Sequence, residues 1–134
     1  MLPLPPDTLG LFKMEVSPEH LASRFKDPML PPVLATPVMI LAMENAALEA
    51  LKPFLEPGES ALGSHVDVRH LAATPLGRTI TATARVTHVS GRRISFAVHA
   101  TDGQQDIGSG THERVLIDMA RFAQRLAMGT SRHA

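Results

Sequence analysis

The sequence predicts an α+β fold in which a curved antiparallel sheet wraps around one long central helix. Residues Leu34–Lys52 form a helical stretch that is apolar nearly all the way round. After it, the apolar spacing changes from helical to alternating, in four segments separated by turn residues. A helix without a wide polar face must be covered on most sides, and an antiparallel sheet with one apolar face can cover it.

The composition is that of one ordinary globular domain. The 134 residues, 44% of them hydrophobic, suffice for a single core, so we expect residues 1–134 to form one domain. The absence of cysteine from the sequence excludes disulfides and thiolate metal sites. Balanced charges (13 basic, 13 acidic) and the lack of Trp and Tyr argue against binding to nucleic acid or membranes. No secretory signal is recognisable, so the expected location is cytoplasmic.

The chain before the central helix predicts few regular elements. Residues 1–7 are rich in proline, and we expect a loose arm. Thr8–Val16 fits a first strand, and SPEHLASRF, which begins at Ser17, fits a short helix with proline at its first position. Lys26–Val33 contains three prolines and is predicted to be irregular. It is either a connector or, together with the next two residues, a lid over a site.

The bounds of the central helix follow from its flanking residues. Thr36 stands at the expected N-cap, where its side-chain oxygen accepts a backbone N–H of the first turn. Pro37 then occupies the first helical position. Pro53 ends the helix, because the residue before a proline avoids helical geometry. Glu44 lies inside this apolar helix, and we expect its side chain to be buried.

The alternating segments predict four strands, Ser64–His70, Thr79–Val89, Arg93–Thr101 and Gln104–Asp118. In the first strand, Val66, Val68 and His70 alternate onto the face that we expect to meet the core. In the last strand, Gly108 and Gly110 predict a bulge or a close backbone approach.

Turn and end signals complete the prediction. Asp102-Gly103 is the strongest hairpin signal in the chain. Met119–Met128 predicts a terminal helix, and we expect the last six residues, 129–134, to form a loose tail. No internal repeat interrupts this order.

Two ionisable groups are expected in the space between helix and sheet. An ionised carboxylate in a buried place must be paired or hydrogen-bonded, so Glu44 is either a structural carboxylate or a functional one. His70 is either a satisfied core histidine or, beside a carboxylate, an acid/base group that titrates near neutral pH. The two residues together are a candidate acid/base unit.

Thr36 and Gly63 each have a structural and a functional interpretation. As an N-cap, Thr36 already uses its hydroxyl, yet a helix start also attracts an oxyanion. Gly63 is either an ordinary turn residue before the strand or a place where a backbone N–H approaches a carbonyl. No metal site is predicted, because His65 and His70 should face opposite ways on a strand and no HExxH motif occurs.

Three blocks, VLATPVMILAMENAALEAL, LGSHVDVRHLAATPLG and GRRISFAVHATDGQQDIGSGTHERVLID, occur in this order from about Val33 to Phe122. Their residues and spacing resemble the fluoroacetyl-CoA thioesterase family of hotdog-fold proteins. The hotdog fold, an antiparallel sheet wrapped round a long helix, agrees with the fold predicted from the patterns.

The resemblance implies hydrolysis of a short-chain acyl-CoA, a small-molecule partner, by Thr36, Glu44 and His70. It places the backbone N–H of Gly63 at the acyl carbonyl and gives Arg114, in GTHER, a role near the ligand. It also implies a homodimer, with tetramers left open, whose active sites lie at the subunit interface with coenzyme A along it. No cofactor is implied, because coenzyme A is part of the substrate.

The sequence departs from that family where selectivity is decided. No Phe occurs between Lys26 and Thr36, the region of the lid, and Asn45-Ala46 replace bulkier aromatic character after Glu44. We therefore expect a short acyl group other than fluoroacetyl. Other functions stay open: a hotdog domain that binds acyl-CoA without turnover, an enoyl-CoA hydratase on the same fold, and a purely structural dimer.

Overall fold

The computed structural model describes residues 1–129, which form one five-stranded antiparallel sheet and three helices. In chain order they are strand β1 (Leu9–Glu15), one-turn helix α1 (Ala22–Phe25), helix α2 (Thr36–Leu51), strands β2 (Glu59–His70), β3 (Thr79–Ser90), β4 (Arg93–Thr101) and β5 (Asp106–Asp118), and helix α3 (Met119–Ala127). The strand order is β1-β3-β4-β5-β2, which leaves β1 and β2 at the edges. The predicted α+β architecture is confirmed.

The core lies between helix α2 and strands β3 and β4. The alternation predicted for these strands is confirmed, because the inward side chains are fully buried: Ile80, Ala82, Ala84, Val86, Ile94, Phe96, Val98 and Ala100. Many of them are alanines, so the helix packs close to the sheet. At Gly10 of β1 an added Cβ would lie 1.9 Å from the carbonyl oxygen of Ala46 in α2. Gly10, which weakened the strand pattern, is therefore required by that close approach.

Helix α2 is covered on one side, not all round as its sequence predicts. The buried residues form one face: Val38, Met39, Ala42, Met43, Ala46, Ala47, Ala50 and Leu51. On the other face Leu41 is 49% exposed, and Glu44 is only half-buried. The helix lies mainly over β1 and β3. Strand β2 therefore does not cover the outer face of the helix, and the helix does not cover β2. For the same reason Val66, expected to face the core, is 40% exposed.

The N-terminal arm is docked, and the expectation of a loose segment is wrong. The Leu2 N–H donates to the Phe54 carbonyl at 2.8 Å, and the Asp7 N–H donates to the Val86 carbonyl at 3.2 Å. Apolar side chains of the arm, including Leu4, pack against the core. The predicted loose tail, 129–134, lies outside the described residues except for Gly129.

Several boundaries differ from their predictions for local reasons. The helix after Ser17 is broken into a 3-10 turn (Pro18–His20) and α1, because Leu21 is extended and forms a bridge with Leu34. Residues 26–33 are irregular, as predicted. Strand β2 begins five residues earlier than expected, so Gly63 lies inside it, at a bulge.

None of the helices in residues 1–129 has both the length and the apolar character that crossing a membrane requires.

The hairpin predicted at Asp102-Gly103 is confirmed, with a longer loop. Residues 102–105 connect β4 and β5, and the Asp102 carboxylate accepts hydrogen bonds from the N–H groups of Gln104 and Gln105, each at 3.0 Å. The Asp102 side chain is buried. Gly108 and Gly110 are close-approach positions, since an added Cβ would lie within 2.6 Å of Met39 Sδ and of the Asp67 carbonyl respectively.

Candidate active site

Thr36 and His70 form the first polar group of the site. The Thr36 hydroxyl lies 2.7 Å from His70 Nδ1. The predicted N-cap role of Thr36 is wrong: Ala35 occupies the cap position, and Thr36 is the first helical residue. Its hydroxyl is therefore available to the histidine. Burial lowers the pKa of His70, which keeps its ring neutral at pH 7.

The other ring nitrogen of His70, Nε2, is buried and has no hydrogen-bond partner within the described chain. Thr36 and His70 line a cleft of about 440 Å³. The irregular segment supplies one wall of that cleft through Leu30, Pro31 and Val33. This wall borders the candidate site.

Glu44, Gly63 and Arg114 form the second polar group. Arg114 Nη1 lies 3.7 Å from Glu44 Oε2, and a Cβ added at Gly63 would lie 2.8 Å from the same oxygen. The Gly63 backbone thus abuts the carboxylate directly. The Glu44 side chain is 35% exposed, so the expectation of a buried carboxylate is wrong. Its outer side is open because the sheet covers only the opposite face of α2.

Arg114 is the buried member of this group. Its side chain is 8% exposed. Nη2 donates to the Ala61 carbonyl at 2.8 Å. Burial lowers the pKa of Arg114 while the Glu44 charge opposes the shift, and the guanidinium stays protonated. Arg114 therefore presents a fixed positive charge to Glu44.

His112 is a site residue that the sequence analysis missed. Its Nδ1 lies 2.7 Å from the His65 carbonyl oxygen, and its Nε2 lies 3.2 Å from Arg114 Nη1. Its ring stacks on Phe96 with 5.9 Å between ring centroids. Alternation along the last strand places His112 and Arg114 on one face, and that signal could have found it. The histidine was considered only for metal-ligand spacing.

The two polar groups lie apart within one chain. Thr36 and Glu44 are separated by eight residues of α2, a rise of about 12 Å along the helix axis. The expectation that Thr36, Glu44 and His70 converge on one space is therefore not met by a single copy. Within residues 1–129, no cluster of three His, Asp or Glu side chains could hold a metal ion.

Solved structures similar to this one include thioesterases. A thioesterase superfamily member from Thermus thermophilus matches with a TM-score of 0.90 at 33% identity, covering 98% of this chain and 97% of that one. The five-stranded antiparallel sheet and the long helix place this chain among the hotdog-fold thioesterases.

A narrower assignment follows from the sequence relatives. Residues 16–120 match the family described as fluoroacetyl-CoA-specific thioesterase. The fluoroacetyl-CoA thioesterase of Streptantibioticus cattleyicolor is 48% identical over 100 residues, which are 75% of this chain and 72% of that protein. A variant of fluoroacetyl-CoA-specific thioesterase FlK, solved in complex with fluoroacetate and CoA, matches with a TM-score of 0.83 at 40% identity over 88% of this chain and 98% of that one. The chain belongs to the fluoroacetyl-CoA-specific thioesterase family, and it is an acyl-CoA thioester hydrolase.

Proposed function

We propose that this thioesterase hydrolyses a short-chain acyl-CoA to the free acid and coenzyme A at sites assembled from two copies of the chain. The observation that carries the proposal is the division of the polar residues into two separate groups. Thr36 and His70 form one group, and Glu44 and Gly63 belong to the other. The first group has no carboxylate, and the second group lacks the acid/base residue His70.

The positions of the two groups are symmetric. Thr36 and Glu44 lie four residues on either side of Ile40 in α2. Gly63 and His70 lie at equal distances on either side of the Val66-Asp67 pair in β2. A two-fold axis near these midpoints would place each group beside the complementary group of the partner subunit. The dimer would then contain two complete sites.

The surface around these midpoints supports such a pairing. The outer face of α2 and the edge strand β2 carry large apolar side chains that remain exposed in one copy: Leu41 at 49%, Leu62 at 41% and Val66 at 40%. β2 is a 12-residue edge strand, and long unprotected edges favour pairing with another chain. An isologous dimer would cover both features with one interface.

The chemistry divides among the residues as follows. The acyl carbonyl lies against the Gly63 N–H, and Glu44 either attacks it or activates a water for attack. His70 of the partner subunit, oriented by the Thr36 hydroxyl, takes up a proton of the water at Nε2 and passes it to the thiolate that leaves when the C–S bond breaks. The water supplies the new C–O bond and the balancing proton. A proton-transfer group of this kind contributes about 10²–10⁴ in rate. No cofactor takes part.

The substrate class follows from the wall of the cleft. Leu30, Pro31 and Val33 are aliphatic, and no aromatic ring lies between Lys26 and Thr36. The acyl pocket therefore offers apolar packing without the phenylalanine of a fluorine-selective lid. We propose a short unfluorinated acyl group as the preferred substrate.

Hybrid dimers provide the test. Free-thiol release is measured on a panel of short acyl-CoAs, fluoroacetyl-CoA included, for wild type, Glu44→Ala and His70→Ala. Chains of the two variants carrying different tags are then combined, and the mixed dimer is purified. One of its two sites retains both Glu44 and His70, so it should recover about half of the wild-type activity, while each parent stays inactive.

Three results would each contradict one of these proposals. A mixed dimer as inactive as its parents would show that Glu44 and His70 act within one chain, and the shared site would be wrong. A wild-type protein that binds coenzyme A but releases no thiol from any of the panel would be a binding protein. A preference for fluoroacetyl-CoA would overturn the proposed substrate class.

A further inference from the structure

His112 is held by two partners that together determine where its proton lies. The His65 carbonyl oxygen, 2.7 Å from Nδ1, can only accept a hydrogen bond, so Nδ1 must carry the proton. Arg114 Nη1, 3.2 Å from Nε2, can only donate, so Nε2 must offer its lone pair. The surroundings therefore accept one form of His112, the neutral ring protonated on Nδ1.

Arg114 depends on that lone pair. Its Nη2 is held by the Ala61 carbonyl, and its Nη1 is directed towards both His112 Nε2 and, at 3.7 Å, Glu44 Oε2. Its Nε has no partner among the described residues. Removing the acceptor on His112 would leave a second buried N–H without a hydrogen bond, and such a group moves towards any other acceptor or water.

The charges around the ring favour the neutral form. Burial is the largest influence and lowers the pKa of His112, with the positive charge of Arg114 on β5 adding to it. The hydrogen bond to the His65 carbonyl on β2 and the negative charge of Glu44 on α2 oppose the shift without cancelling it, and the His65 side chain lowers it slightly. On the β4 side the ring stacks on the uncharged side chain of Phe96.

We propose that His112 is a positioning residue that holds the Arg114 guanidinium against Glu44, and that protonation of Nε2 releases it. A protonated ring would direct an N–H at the N–H of Arg114, and both groups would be cationic. The carboxylate would then lose its fixed countercharge in acid. This inference depends on the proposed function, because it takes Glu44 as the reacting carboxylate.

A matched pair of variants separates the two hydrogen bonds of the ring. In His112→Gln the side-chain oxygen replaces the Nε2 acceptor, while the donor near Nδ1 is lost. In His112→Asn the amide replaces the donor to the His65 carbonyl, while the acceptor for Arg114 is lost. We expect kcat to fall about 10²-fold in His112→Asn and far less in His112→Gln, since displaced site groups cost that much.

The pH profile adds a readout that loss of packing would not change. In the wild type both His70 and His112 must be neutral, so the acid limb of log kcat/KM should approach a slope of about two, and His112→Gln should reduce it to about one. Equal losses of kcat in both variants, with an unchanged slope, would overturn the proposal and leave His112 a packing residue.

Nitrogen NMR of the wild-type ring tests the arrangement without any activity. The proposal requires a neutral Nδ1–H tautomer at pH 7, and a Nε2–H tautomer or an imidazolium at that pH would overturn it. If the wild type hydrolyses no acyl-CoA, the proposed function fails, while the tautomer and the Arg114 side-chain signals of the two variants still decide the role of His112.

Discussion

Asp102 and Glu44 are both carboxylates beside an arginine, and their surroundings differ completely. Asp102 is 4% exposed, and its oxygens accept hydrogen bonds from Arg78 Nη1 at 3.0 Å, from the Thr74 hydroxyl at 3.3 Å and from two backbone N–H groups. Glu44 is 35% exposed and lies 3.7 Å from its arginine, beyond hydrogen-bond distance. The first carboxylate is satisfied by its own chain, and the second is not.

We interpret this difference as the difference between a structural charge, Asp102, and the proposed reactive charge, Glu44. Burial raises the pKa of Asp102, but the hydrogen bonds from Gln104, Arg78 and Gln105 outweigh it and hold that pKa below its usual value. Asp102 thereby ties the loop after β2 to the β4–β5 hairpin. Glu44 keeps an accessible oxygen lone pair, which a nucleophile or base requires. A carboxylate whose hydrogen bonds are incomplete, such as Glu44 on α2, is therefore a better indicator of function than a fully hydrogen-bonded one such as Asp102.

The largest effect should come from removing the charge at the unsatisfied carboxylate. Glu44→Gln keeps the shape of the side chain, and we expect thiol release to fall by about 10²–10⁴. The melting temperature should change little, because Arg114 Nη1 lies 3.7 Å from the carboxylate, beyond hydrogen-bond distance, and Glu44 is 35% exposed. Glu49→Gln, on the exposed face of the same helix, is the control for activity. Retained activity in Glu44→Gln would mean that the charge takes no part in the reaction.

The reverse outcome is expected at the satisfied carboxylate. Asp102→Asn should lower the free energy of unfolding by about 2 kcal/mol, because Arg78 and a backbone turn lose their acceptor, with kcat nearly unchanged. The exposed Asp106, paired with His99, serves as control, and Asp106→Asn should cost less than about 0.5 kcal/mol.

The pH dependence of the Asp102→Asn effect has a definite sign. The pKa of Asp102 is lowered in the folded state, so its contribution is present above the unfolded value of about 3.9 and is lost as the pH falls through the folded pKa. Chemical denaturation at pH 7 and near pH 3 measures it. A difference between wild type and Asp102→Asn that grows in acid would contradict this assignment.

A smaller effect should separate two glycines. Gly63→Ala places a Cβ 2.8 Å from Glu44 Oε2, a movable side-chain atom, so we expect about a tenfold loss of kcat/KM with little loss of stability. Gly10→Ala places its Cβ 1.9 Å from the Ala46 backbone and should destabilise the fold with no specific effect on the reaction. Measuring both parameters in both variants tests this; equal effects of Gly63→Ala and Gly10→Ala on stability would remove Gly63 from the site.

Most of the sheet could be predicted because its signal is local. Alternation identified the buried faces of β3 and β4 without any knowledge of their partners. The start of α2 could not be placed to the residue, because the extension of Leu34 depends on its hydrogen bond to the Thr74 carbonyl, which lies 40 residues away. That one-residue shift decides whether the Thr36 hydroxyl caps the helix or orients His70.

The sequence predicted which residues belong to the candidate site, but it did not predict how they are arranged. The resemblance identified Thr36, Glu44, His70 and Gly63, but an apolar helix sequence does not say whether its own sheet or another copy of the chain covers each face. The burial of Arg114 was not predicted, because it depends on two hydrogen-bond partners. The Ala61 carbonyl lies on the neighbouring strand β2, and His112 lies on the same strand as Arg114.

The wall of the cleft has a consequence for descent within the family. Residues 26–33 belong to no long helix or strand, and several of their hydrogen bonds are internal, such as Leu30 N–H to the Asp27 carbonyl. The proposed reacting residues lie on α2 and β2, outside that segment. We therefore expect substitutions at Leu30 or Val33 to change which acid is released between lineages without changing the type of reaction.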